Sequence, residues 1–185
     1  MRIGICGSQS VGKSTLVKHL LNNPFLKNYT FFTERSKELI KKGIPVNKES
    51  TSEGQDAFLL ERIKELEKEN MITDRTILDV YAFTKLSEHI SNEKKEIFRA
   101  IKYILSKYYD IIFYIPIIEE IKMEDNGIRE TDEQFRIDID KVLKEEFDKL
   151  PFTKKHYINS ITLSDRVAEI IEVIENMEGE FNDKN

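Results

Sequence analysis

Gly7-Ser8-Gln9-Ser10-Val11-Gly12-Lys13-Ser14 follows directly on the apolar run Arg2-Ile3-Gly4-Ile5-Cys6. The run is apolar on both faces, as a parallel strand covered by helices on each side must be. The two glycines bracket a loop, and Lys13 to Leu21 continues as a helix that ends near Asn22-Asn23-Pro24. Such a loop turns its successive backbone N–H groups inward, and the helix behind it adds the positive end of its dipole. Both attract phosphate. Lys13 supplies a mobile cation for the β- and γ-phosphates and Ser14 a hydroxyl for Mg²⁺. Gly7, Ser8, Gln9, Ser10, Val11, Gly12, Lys13, Ser14 and Thr15 are therefore candidate contacts for a nucleoside triphosphate.

Outward from this loop, short β-rich runs alternate with helical periodicity. Tyr29 to Thr33 reads as a second strand, and Glu34 to Lys42 as a helix closed by Gly43. Ser52 with Gln55 suggests a capping box opening a helix that carries Leu59, Ile63 and Leu66 on one face. Met71 to Thr73 predicts a third strand ending at Asp74. Two helices follow, Asp79 to Ile90 and Glu93 to Lys107, and Ile111 to Ile115 forms a strand stopped by Pro116. Thr131 with Gln134 suggests a second capping box, before a stripe of Phe135, Ile139, Val142, Leu143 and Phe147. His156 to Ile158 is a fifth strand, and Val167, Ile170, Ile171 and Ile174 mark the buried side of a last helix. The pattern predicts a three-layer α/β fold around a five-stranded parallel sheet, with a helical lid at about 119–148. One domain is expected over 1–177, with a polar tail from 178 to 185.

The chain has 185 residues, 39 % of them hydrophobic, which suffices for one core. Its net charge of −5 and pI of about 5.4 argue against a bulk electrostatic footprint for nucleic acid. The single cysteine, Cys6, rules out an intrachain disulfide and reads as a small apolar filler. His19, His89 and His156 are far apart and lack metal-ligand spacing. The longest apolar stretch, Ile111 to Ile118, is far short of the roughly 20 residues of a membrane helix. A cytoplasmic protein is expected.

Parallel sheets bind ligands beyond the carboxyl ends of their strands, so the strand ends supply the remaining candidates. Asp74 can hold Mg²⁺ through its water shell. Glu34, after the second strand, can orient an acceptor hydroxyl and take its proton. Arg129 and Arg136, on the polar segment and helix after Pro116, can close over a transferring phosphate. Asn159, after the fifth strand, is a candidate donor contact.

Thr33-Glu34-Arg35, Thr73-Asp74-Arg75-Thr76 with Asp79, and Gly127-Ile128-Arg129 leading to Phe135-Arg136 join the loop in one pattern. It resembles the P-loop nucleoside and nucleotide kinases, most closely the ribosylnicotinamide-kinase domain of the bacterial NAD-biosynthesis regulator and small phage-type kinases. The resemblance covers residues 1 to 176. It implies ATP as donor, Mg²⁺ as cofactor, and a nucleoside or nucleotide as acceptor; apart from it, a homodimer is left open. It assigns Glu34 and Asp79 to the acceptor, Asp74 to the magnesium shell, Arg75 to phosphate, and Arg129 and Arg136 to the lid. Gln55 resembles a glutamine that grips the acceptor base, and its capping-box reading stands beside that. Unlike many nucleoside-monophosphate kinases, the loop lacks an extra internal glycine. Two alternatives remain: a kinase acting on a nucleic-acid end or a modified base in DNA, and a regulatory NTPase. Against the second, no glycine has an aspartate three residues before it, and no Asn-Lys-x-Asp occurs.

Overall fold

The computed structural model describes residues 1–33, 36–41, 43–118, 133–151 and 153–182, with backbone alone at 37–39 and 181–182. Five parallel strands lie in the order β2-β3-β1-β4-β5: β1 (Arg2–Cys6), β2 (Thr30–Phe32), β3 (Met71–Asp74), β4 (Ile111–Tyr114) and β5 (Lys154–Tyr157). The helices are α1 (Lys13–Leu21), α2 (Ser36–Lys41), α3 (Ser52–Leu66), α4 (Ile77–Leu86), α5 (Asn92–Ser106), α6 (Glu133–Asp148) and α7 (Leu163–Asn182). The expected five-stranded sheet and its order of elements are present. The last helix runs further than a tail beginning at 178 suggested. Lys154 on β5 pairs there with Glu180 at 2.8 Å.

β1 is the central strand, and its alternate residues serve two cores. Ile3 and Ile5 face α1 and α7 and pack with Leu16, Leu20, Phe113, Ile170 and Ile174. Cys6 faces the opposite layer, with α3 to α6. Within that layer α4 lies innermost: every residue from Ile77 to Thr84 is buried, as a helix apolar nearly all round must be. Thr76 caps it, its hydroxyl accepting from Leu78 N–H while Asp79 accepts from Thr76 N–H at 2.7 Å.

Two local expectations are corrected. The N-cap of α3 is Thr51, whose hydroxyl accepts from Gly54 N–H at 3.3 Å, so Ser52 and Gln55 form no capping box. Ile63 is exposed, and Arg62 and Glu65 share the inner face with Leu59 and Leu66. They are tolerated because they pair with each other, at 2.5 Å. The capping box expected at Thr131 and Gln134 falls partly outside the described residues. The apolar stripe of α6 is buried as the periodicity requires.

Candidate active site

Gly7 leaves β1 where that strand is hydrogen-bonded to both β3 and β4, the point at which successive connections diverge across the sheet. A Cβ on Gly7 would lie 2.6 Å from the Ile115 carbonyl oxygen, so only glycine lets the loop turn against β4. Gly12 caps α1 at φ +93, in the left-handed region glycine favours. Ser10 also takes a positive φ, +57.

Lys13 is buried, and its Nζ donates to the carbonyls of Gly7 and Ser8, both at 2.6 Å. The cation is thus folded into its own loop. Ser14 Oγ donates to Asp74 Oδ2 at 2.6 Å, across from α1 to the end of β3. Asp74 is wholly buried, and its Oδ1 has no partner. A hydroxyl and a carboxylate with a spare buried oxygen are hard donors suited to Mg²⁺, which takes few protein ligands and keeps waters or phosphate oxygens. Among the described residues no group of three or more His, Cys, Asp or Glu could hold a metal by itself.

Two arginines brace the loop from distant helices. Arg136 on α6 is buried; its Nε donates to the Gln9 carbonyl at 3.1 Å, and its own carbonyl accepts from Ser8 Oγ at 2.7 Å. It therefore already sits on the loop before any closure. Arg166 on α7 was not anticipated. Its Nη1 donates to the Val11 carbonyl at 2.8 Å and its Nε to the Ser160 carbonyl at 3.0 Å. Nothing in the local sequence marks it among the many charges of an amphipathic helix.

Arg75, next after Asp74, has φ +88, a conformation that costs a non-glycine residue about 1–3 kcal/mol. A buried network holds it there. Arg62 Nη1 donates to the Arg75 carbonyl at 3.0 Å, and Glu65 takes Arg62 Nη2 on one oxygen and the Thr73 hydroxyl on the other, with the Arg75 carbonyl 3.1 Å from that same hydroxyl. The turn aims the Arg75 guanidinium over the Phe83 ring, 5.0 Å from its centroid. There it lines a pocket between α3 and α4, with Gln55, Phe58, Asp79 and Phe83. On two of these lining residues, Gln55 Oε1 and Asp79 Oδ1 are buried without a partner. Burial pushes the Asp79 carboxyl above its ordinary range, against the pull of Lys13 and Arg75.

The structure thus brings together Gly7 to Ser14 with Asp74, and separately Gln55, Arg75 and Asp79, with Thr15 exposed on α1. Asn159 lies exposed after β5, its N–H donating to Glu169. Glu34 and Arg129 lie outside the described residues. Among the described residues no helix is long and apolar enough to cross a membrane.

A family profile described as an AAA domain matches residues 2–166. None of the curated proteins matches the sequence. Several solved structures share the fold. A deoxyadenosine kinase from M. mycoides with products dCMP and a flexible dCDP bound superposes with a TM-score of 0.67 at 18 % identity, over 96 % of this chain and 100 % of its own. The NadR protein in complex with NAD and AMP-PNP gives 0.68 at 18 %, over 96 % of this chain, which spans about half the NadR chain (49 %). The YorR protein from Bacillus subtilis, in complex with phosphorylated GDP, gives 0.63 at 16 %, over 97 % and 98 %.

Proposed function

Because the chain belongs to the AAA_28 family of AAA domains, with a phosphate-binding loop at the head of a parallel sheet, we propose that it is an ATP-dependent kinase. The γ-phosphate goes to a hydroxyl or phosphate of a nucleoside or nucleotide. The observation that carries this reading is the pocket at Gln55, Arg75 and Asp79. Asp74 and Arg75 are consecutive, so the phosphate loop and the pocket share one strand end. A switch NTPase needs no second, aromatic-lined cavity one residue from its metal carboxylate. The orphaned oxygens of Gln55 and Asp79 suit the N–H groups of a base, and Phe58 and Phe83 its faces. The fold neighbours solved with dCMP, dCDP and AMP-PNP support a nucleotide as ligand.

In this reading the loop amides bind the triphosphate, and Lys13 exchanges the carbonyls of Gly7 and Ser8 for β- and γ-phosphate oxygens. Ser14 and Asp74 would hold Mg²⁺, which draws charge from those oxygens. Arg75 approaches the transferring phosphate from the acceptor side, Arg136 steadies the loop, and Asn159 lies beside the donor base. Glu34, two residues past β2 in sequence, orients the acceptor hydroxyl and takes its proton, and Arg129 is assigned to the lid. A second copy of the chain is the assembly partner. Leu60 and Ile63 on α3 and Ile97 and Ile104 on α5 are exposed, and Lys94 joins the two helices to each other through Asp56. Carboxylates outnumber cations on α3 and the reverse holds on α5, so a two-fold axis sets unlike charges together.

The test is acceptor-dependent ADP release with a panel of nucleosides, nucleotides and oligonucleotides. Wild type should respond to a nucleoside-like acceptor, and Glu34→Gln should bind Mg·ATP normally yet lose the response. Lys13→Ala should stay folded and lose transfer by the several-hundred-fold that about 3–4 kcal/mol represents. A wild type that no acceptor stimulates removes the kinase reading, and full turnover by Glu34→Gln removes Glu34 from it.

A further inference from the structure

The connection between β5 and α7 is held by the helix that follows it. Asn159 N–H donates to Glu169 Oε1 at 3.1 Å and Ser160 N–H to Glu169 Oε2 at 3.0 Å, while His156 Nε2 meets the same carboxylate at 2.8 Å. Burial acts to raise the Glu169 pKa. The hydrogen bonds from Ser160, His156 and Asn159 overcome it and hold the group at about 2, so it is ionised in all ordinary buffers. The Ser160 peptide is gripped from its other end too, since Arg166 Nε takes its carbonyl. Ile161, the next residue, stands 67 % exposed.

Arg166 is what joins this connection to the phosphate loop. It is 5 % exposed and donates through Nη1 to Val11, immediately before the residue that caps α1. Its Nη1 lies 3.3 Å from where a Cβ on Gly12 would be, so the guanidinium is packed against the cap itself. Two N–H groups on one rigid plane thus fix two carbonyls more than 140 residues apart in sequence. A lysine has no such fork: its ammonium is one point, and it cannot set the distance between two acceptors.

We propose that Arg166 is a positioning residue that couples the Asn159–Ile161 connection to the phosphate loop, so that phosphate in the loop tightens the donor-base connection and a bound base tightens the loop. This rests on the donor reading given above, in which triphosphate occupies Gly7 to Ser14. Reciprocity is required: whatever free energy the phosphates lend the base contacts, the base lends the phosphates. The consequence is selection of nucleoside triphosphates over bare polyphosphate beyond what the base contacts alone provide.

The test is amide hydrogen exchange with magnesium tripolyphosphate, a ligand that has no base. In wild type it should slow exchange at Gly7 to Ser14 and, though it cannot reach them, also at Asn159 and Ser160, by roughly 5- to 100-fold for a coupling of ordinary size. Arg166→Ala should keep the protection in the loop and lose the remote response. Arg166→Lys, which keeps the charge and most of the packing, should lose it as well; a role confined to packing or charge predicts that lysine restores it. Loop protection in wild type without slowing at Asn159 and Ser160 overturns the proposal, as does an undiminished remote response in either variant. Absence of loop protection in wild type instead overturns the donor reading. If Arg166→Ala fails to fold, Arg166→Lys supplies the comparison: loss of its remote response supports the proposal and retention overturns it.

Discussion

Arg75 shows how a single residue ties stability to chemistry here. Its left-handed backbone persists because Arg62 holds its carbonyl and is itself held by Glu65, which also takes the Thr73 hydroxyl, all three being buried. Arg62→Ala leaves Glu65 buried without its cation and should cost about 3–5 kcal/mol in urea-induced unfolding. It should also release the Arg75 turn and raise the acceptor KM more than the KM for ATP. An equal rise in both would remove Arg75 from the acceptor pocket. At this scale the sequence was legible where chemistry is local. Lys13, Ser14 and Asp74 announce themselves by spacing and by the end of a strand, and Ser14 is hydrogen-bonded to Asp74. Arg62, Glu65 and Arg166 were not legible, because a buried ion on a helix differs from a solvated one only by what lies opposite, which spacing along the chain does not encode. Asp79 was legible only through the kinase-like motif; that Thr76-x-x-Asp79 also caps α4, with Oδ2 accepting from Thr76 N–H, went unread.

Among the elements, α6 departs most from expectation. The lid was expected to bring Arg136 to the phosphates on closing, but the side chain is already hydrogen-bonded to Gln9 and ion-paired to Glu133 at 2.9 Å. Arg136→Ala should therefore act on the resting loop, raising the KM for ATP and lowering stability by about 1–3 kcal/mol. Initial-rate kinetics with unchanged KM and depressed kcat would restore the lid role. The helix itself was legible from its apolar stripe. Its docking on the loop was not, because that contact spans the chain. The start of α7 offers a pH test. Glu169 ionises more easily folded than unfolded, so its contribution is complete above about pH 4.5 and is lost as pH falls towards 2. Thermal unfolding followed across that window should show wild type losing stability more steeply than Glu169→Gln. Parallel pH profiles would mean that the Asn159 and Ser160 contacts do not form in solution.

For the molecule as a whole, alternation of strands and helices was enough to reach a parallel three-layer sheet, because covered strands and amphipathic helices leave few other arrangements. Strand order was not readable, since it depends on which apolar faces meet. The exposed apolar side chains of α3 and α5 carry the last test. Sedimentation equilibrium should find a dimer at micromolar concentration, and Leu60→Glu with Ile97→Glu should weaken it at least tenfold while leaving ATP affinity intact. A wild-type monomer at that concentration refutes the assembly.

The position of β1 has one more consequence. It is the earliest strand in the sequence and the middle strand of the sheet, flanked on one side by Met71–Asp74 and on the other by Ile111–Tyr114. During translation, at roughly 5–20 residues per second, the ribosome spends on the order of 5–20 s between making β1 and finishing its second neighbour. Throughout that interval the strand that launches the phosphate loop has a bare hydrogen-bonding edge. A nascent chain of this design is most exposed to misassociation at its own centre, and slowing synthesis between β1 and β4 should lower the yield of folded protein more than slowing it after β5.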